Sequence, residues 1–255
     1  MGVKLMRSRW IIVLALTLMC ISACTSEPVT GPEAARALLD EVAESMGGWE
    51  ALSAIKRQEI VSQGNDWEPM QALEPGAERL VNGWGRTLLI DYTKPSTHLT
   101  FDGERIYPNT APVRFTEIID GDVGALRRSG EEDEPVYTRM HPSRFATRIR
   151  DFNRLATRLL FVARDSAELM RLEDQTIDGQ TTHFLEYQDG GQPVELQIDS
   201  FTKLPIRVTY TEDDPLYGDT LNELIYLDWR ESQVDAAADG SPINARLPHA
   251  QALFL

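Results

Sequence analysis

Cysteine is almost absent from this 255-residue chain, with Cys20 and Cys24 the only two, so no CxxC pair exists for a metal or a redox centre. Histidine is also scarce. His98, His141, His183 and His249 stand far apart, and neither HxHxDH nor HExxH occurs. Zinc needs three or four converging ligands, so no metal and no cofactor is expected. GxSxG, the strained turn that exposes a hydrolase serine, is missing too. Basic residues are outnumbered, 25 Lys and Arg against 40 Asp and Glu, which argues against nucleic acid as a partner. Forty acids also supply no spacing rule that would select a glycosidase pair. The cluster EDDPLYGD at residues 212–219 lacks the alternation and closing Glu of a calcium loop and reads as a solvated hairpin. Long apolar runs are absent: residues 10–19 (WIIVLALTLM) are too short for a permanent membrane span. No enzyme chemistry is expected from these patterns.

That short run lies in an informative place. Lys4, Arg7 and Arg9 precede it, and Ile21-Ser22-Ala23-Cys24 follows. A basic n-region, an apolar h-region and small residues before a cysteine resemble a bacterial lipoprotein signal with its lipobox. The resemblance implies cleavage after residue 23 and acylation of Cys24, which becomes the only cysteine, so no disulfide and no thiol nucleophile are expected. Each buried methylene of such an anchor adds about 0.8 kcal/mol. Thr25, rather than Asp, follows the cysteine, which in Gram-negative lipoproteins favours the outer membrane, facing the periplasm. Losing three basic and no acidic residues takes the balance to 22 against 40, a net of −18. Such a charge suits a body held off an anionic bilayer by its tether.

After a polar spacer (TSEPVTGP, residues 25–32), the residues predict a helix. Thr30 is the expected N-cap, with Pro32 in the first turn and Glu33 completing a capping box. Ala35, Leu38, Leu39, Val42 and Met46 share one face, and Gly47-Gly48 ends the helix. A short turn at 49–55 leads to a strand at 58–63. Further strands are expected at 87–92, 97–101, 113–119, 182–187, 194–198, 206–210 and 224–229. One long helix interrupts them at 143–162, where Phe145, Ile149, Phe152, Ala156 and Leu159 keep the 3.6-residue period. Residues 130–134 (GEEDE) and 235–242 read as exposed loops. The order predicts an α+β domain over residues 33–234, followed by a C-terminal extension, 235–255, that holds an incomplete last strand.

Two features leave alternatives open. Arg144, Arg148, Arg150, Arg154 and Arg158 crowd the long helix of an acidic protein. They form either a solvated face near Asp151 and acidic strand residues or a receiver for an acidic partner or lipid headgroup. The alternating apolar residues line either a filled core or a greasy groove. The candidate groove residues are Leu88, Ile90, Leu99, Phe101, Phe115, Leu196, Ile198 and Val208, together with Ile118, Ile206, Leu224 and Tyr226. The polar stretch IDSFTKLP, by contrast, reads as a turn. Asp199 and Thr202 are placed to accept and donate local hydrogen bonds, and Pro205 opens the outgoing strand.

Three stretches carry a wider resemblance. LLDEVAESMGGWEALSAIKRQEIVSQG (residues 38–64) is similar to the opening of LolA-like periplasmic lipoprotein carriers and of a related domain that precedes metallo-β-lactamase-fold hydrolases. IIDGDVGALRRSG with SRFATRIRDFNRLATRLLF resembles the middle of the second group, and residues 178–229 resemble the closing hairpins of both. The resemblance implies a curved antiparallel sheet forming an incomplete β-barrel, helices packed on its open side, and a cavity for a lipid or lipoprotein acyl chains. The chain departs from it in its anchor and in lacking the hydrolase metal motif. A module accessory to such a hydrolase, acting through a protein partner, or a shortened relative without the enzyme half, is the alternative function.

Overall fold

The apolar face at residues 35–46 forms α1 (Pro32–Ser45) in the computed structural model, which describes residues 30–68, 74, 77–128, 136–214, 218–236 and 240–254. Cys24, the signal segment 1–23 and the loop 130–134 lie outside the described residues. Leu38, Leu39, Val42 and Met46 are buried, as the period requires. The cap differs from the capping box. Gly31 is the N-cap at φ 96°, with no side-chain cap bond. Its N–H and carbonyl pair with the backbone of Arg171, which leaves Thr30 one residue outside the helix. Gly47, at φ 112°, turns the chain directly into α2 (Gly48–Ala54).

Six strands then run as an antiparallel meander in chain order: β1 (Arg57–Glu68), β2 (Arg79–Asp91), β3 (Ser96–Arg105), β4 (Ala111–Asp120), β5 (Val123–Arg128) and β6 (Thr138–Arg139). Two helices follow, α3 (Pro142–Asn153) and α4 (Ala156–Asp165). The rest of the chain makes β7 (Met170–Arg171), β8 (Gln175–Ile177), β9 (Gln180–Asp189), β10 (Gln192–Asp199), β11 (Pro205–Asp214), β12 (Gly218–Ala236) and β13 (Pro242–Phe254). These form a seven-stranded sheet in the order β13-β12-β11-β10-β9-β7, with β8 also on β9. The fold is α+β. One curved sheet was the expectation; there are two, and they are not closed into a barrel.

The helix expected over 143–162 is broken. Leu155 is extended (φ −60°, ψ 136°) and caps α4, its carbonyl accepting from Arg158 and Leu159 N–H. The Arg154 carbonyl, which would continue α3, accepts the Tyr226 hydroxyl at 2.5 Å instead. A tertiary bond from β12 thus replaces a helical one. The apolar period survives because Phe152, Leu159 and Leu160 all remain buried on either side of the break.

The two sheets have unequal cores. α1, α2 and α4 cover the seven-stranded sheet, where Leu39, Leu160, Leu185, Tyr187, Leu196 and Val208 belong to one continuous buried cluster. The six-stranded sheet contributes far less: among the described residues its buried apolar side chains are Val81, Ile90 and Ile119. Residues 242–254 are no appended extension. They make a 13-residue strand paired along β12, and the Arg246 N–H bonds the Met46 carbonyl at 2.9 Å.

The IDSFTKLP turn forms as its residues require. Asp199 Oδ1 accepts the N–H of Phe201 (3.1 Å) and Thr202 (2.6 Å) and the Thr202 hydroxyl (2.8 Å). Lys203 takes the left-handed conformation at φ 59°, and Pro205 opens β11. Ser45 Oγ donates to the Lys203 carbonyl at 2.9 Å and ties the turn to α1. Partial burial works against the Asp199 carboxylate, but the bonds from Thr202 and Phe201 outweigh it and hold the carboxyl below its ordinary 3.8. A carboxyl depressed by folding stabilises fully above its unfolded value and loses that contribution as pH falls through the lower folded value. Asp199→Ala is expected to lower unfolding free energy by about 1.5 kcal/mol at pH 7. Urea titrations should show the gap between wild type and variant closing below the ordinary 3.8. A gap unchanged at acid pH contradicts the role given to the ionised carboxylate.

Candidate functional site

Period-two side chains of the first sheet build one wall of a cleft. Trp84, Arg86 and Leu88 alternate along β2, Thr97, Leu99 and Phe101 along β3, and Glu117 and Ile119 along β4. Opposite stand Phe152 of α3, Leu155, and Tyr210, Leu224 and Leu253 from the open end of the second sheet. The space between is about 650 Å³, and its lining is mainly apolar. That volume falls within the roughly 300–1,000 Å³ of small-molecule sites. It exists because the helices that fill the second sheet's concavity do not cover the first.

The candidate residues fall into two groups. Leu88, Leu99, Phe101 and Leu224 line the cleft. Leu196, Ile198, Val208 and Tyr226 do not; they are sealed in the core under the helices. Ile90, on the same strand face as Leu88, is only 3 % exposed. Phe115 lies outside the lining, stacked on Phe101 at 4.6 Å and 10°, with the Arg144 guanidinium 5.4 Å from its ring centre. Alternation identified the inward faces but not which face a helix would cover. Trp84, Phe152, Tyr210 and Leu253 were missed. Trp84 was legible by extending the β2 alternation back from Leu88; Tyr210 and Leu253 depend on the distant meeting of sheet edges.

The arginine row of α3 is neither free nor simply solvated. Arg144 and Arg148 both bond Glu117 on β4, a carboxylate 2 % exposed, Arg148 at 2.6 Å. Arg148 also reaches Asp151 at 2.8 Å. Burial opposes the charge of Arg148, but Glu117 and Asp151 prevail and raise its pKa above the ordinary guanidinium value. Arg150 and Arg154 both bond Glu212 on β11, at 3.1 and 2.9 Å. The Arg154 side chain is 1 % exposed and lies flat against Tyr210, its guanidinium carbon 3.3 Å from the ring centre. Burial pushes the Tyr210 hydroxyl up to about 12. Arg158, on α4, faces the Phe152 ring at 5.9 Å. The row is therefore a two-sided clamp: α3 holds the first sheet through Glu117 and the second through Glu212, and the cleft lies between.

A second polar cluster sits away from the cleft. His183 Nδ1 meets Asp174 at 3.0 Å, and Lys203 Nζ donates to His183 Nε2 at 2.9 Å and reaches Glu41 at 3.1 Å. The cluster fixes the IDSFTKLP turn against α1. His98 lies on β3, His141 accepts from Ser143 N–H at the start of α3, and His249 lies on β13. Among the described residues no three His, Cys, Asp or Glu side chains converge to hold a metal ion, and no helix is long and apolar enough to cross a membrane. No protein-family model and no curated protein matches this chain.

Proposed function

We propose that this protein is a non-catalytic, envelope-anchored binding protein that takes a lipid or other apolar ligand into the cleft between its two sheets. The cleft carries the proposal: an open space of about 650 Å³ walled by Trp84, Leu88, Leu99, Phe101 and Phe152 in a protein of otherwise acidic surface. The chain order, a helix, a meander, a helix pair and a second meander left unclosed, supports the likeness to LolA-like lipoprotein carriers. The lipobox at Cys24 supports tethering at the outer membrane on the periplasmic side, where acyl chains are at hand.

Leu99 is the residue to test, because it faces the cleft and lies outside the main core. Native mass spectrometry of gently purified protein is expected to show an added mass of lipid size. Leu99→Trp, which fills the space, is expected to weaken uptake of a fluorescent fatty acid about tenfold with little change in melting temperature. Absence of both adduct and uptake in the unaltered protein overturns the proposal.

A further inference from the structure

We propose that the cleft selects an amphiphile with a single anionic head group, a carboxylate or a phosphate monoester, which pairs with Arg86 while the chain lies along the wall formed by Trp84, Leu88, Leu99 and Phe101. The inference rests on the cleft being a ligand site. It names the chemistry of the ligand's head.

Arg86 differs from the other arginines of the cleft. Arg148 and Arg154 each hold a carboxylate, as do their neighbours Arg144 and Arg150. Arg86 has no carboxylate within ion-pair distance among the described residues. Its Nε donates to Ser62 Oγ at 3.0 Å, and its guanidinium carbon lies 5.0 Å from the Trp84 ring centre. Its two terminal nitrogens have no hydrogen-bond partner among the described residues. The carboxylates nearby are committed elsewhere. Asp66 accepts from Trp84 Nε1 at 2.8 Å and from Asn82 at 3.1 Å, Asp151 is held by Arg148, and Glu117 by two arginines.

Its position gives this cation a purpose. Arg86 is an exposed residue at the cleft, with Trp84 and Leu88 two residues away on the same face and Phe101 opposite it on β3. Loss of solvent is the main cause of a pKa below the ordinary guanidinium value; attraction from Asp151 and Asp66 opposes it, and repulsion from Arg148 adds to it. A fork of N–H donors with no partner among the described residues, beside Trp84, Leu88 and Phe101, suits a planar carboxylate or a phosphate, which guanidinium binds through two parallel bonds. A neutral head group leaves those donors unmatched while the chain displaces their water. Arg86 is thus the group by which the cleft distinguishes anionic from neutral amphiphiles.

The test uses the purified full-length protein and three photoreactive probes of identical diazirine-bearing C16 chain: the fatty acid, the fatty alcohol and the lysophosphatidate. Cross-linked peptides are mapped and labelling is titrated. At least one anionic probe is expected to label cleft residues at about tenfold lower concentration than the alcohol. The lower of the two anionic midpoints identifies the preferred head. Arg86→Gln is expected to abolish the preference while leaving labelling by the alcohol. Arg57→Gln, which removes an equal charge at an exposed pair with Asp91, is expected to keep it. Equal labelling by acid, phosphate and alcohol overturns the inference and leaves the apolar site standing. A preference lost equally in Arg57→Gln overturns it as well. No cleft labelling by any probe refutes the ligand site itself.

Discussion

Glu117→Ala is expected to lower the unfolding free energy by about 3 kcal/mol, among the largest effects of any single substitution on the first sheet. The carboxylate is 2 % exposed and lies between two arginines from the same helix. Its removal leaves two cations one helical turn apart, with Asp151 able to answer only one of them. It also cuts the link between β4 and α3 that closes one end of the cleft. Glu117→Gln separates charge from shape: the amide fills the same space and still accepts bonds, yet cannot neutralise either guanidinium. Its expected loss is about 2 kcal/mol. Urea unfolding at pH 7 provides the measurement. A change below about 1 kcal/mol for the alanine variant would show that both arginines swing to solvent and that the clamp is dispensable.

Gly47→Ala is expected to cost about 3 kcal/mol or more, from two independent causes. The residue sits at φ 112°, where a side chain is strained in any surroundings. A Cβ there would also stand 2.4 Å from the carbonyl oxygen of Asn244, on β13. That oxygen belongs to the backbone of a strand paired on β12 and has no flexible end to move aside. Gly121→Ala is the control. It has positive φ, 63°, but nothing within 4 Å of an added Cβ, so it carries only the backbone term of about 1 kcal/mol. Thermal or urea midpoints that fall equally in the two variants would falsify the close approach of α1's end to β13.

Local features were the readable ones. The apolar face of α1 and the Asp199 turn follow from neighbours within a few residues, and both formed as the sequence indicated. The break at Leu155 was hidden because neither glycine nor proline marks it; its cause is a hydroxyl from Tyr226, in a strand on the far side of the chain. The arginine row shows the same limit. Residues 144–154 announce their charge, but Glu117 and Glu212 come from different sheets, and no spacing in the helix selects them from forty acids. The cleft was half legible. Alternation named Leu88, Leu99 and Phe101, yet gave Leu196, Ile198 and Val208 the same standing. What separates them is which sheet the helices cover, decided by packing between elements more than a hundred residues apart.

That unequal covering gives the two walls of the cleft different mechanical character. The seven-stranded sheet is braced by three helices and a continuous apolar core, so Tyr210 and Leu224 stand on a fixed base. The six-stranded sheet has few buried apolar contacts behind it and is held by its own ladder and by the Glu117 clamp. Regions with few buried contacts open at lower free energy than packed cores. One wall is therefore a rigid template and the other a compliant one, and a change in the width of the cleft comes from bending strands β1–β4 rather than from repacking the core.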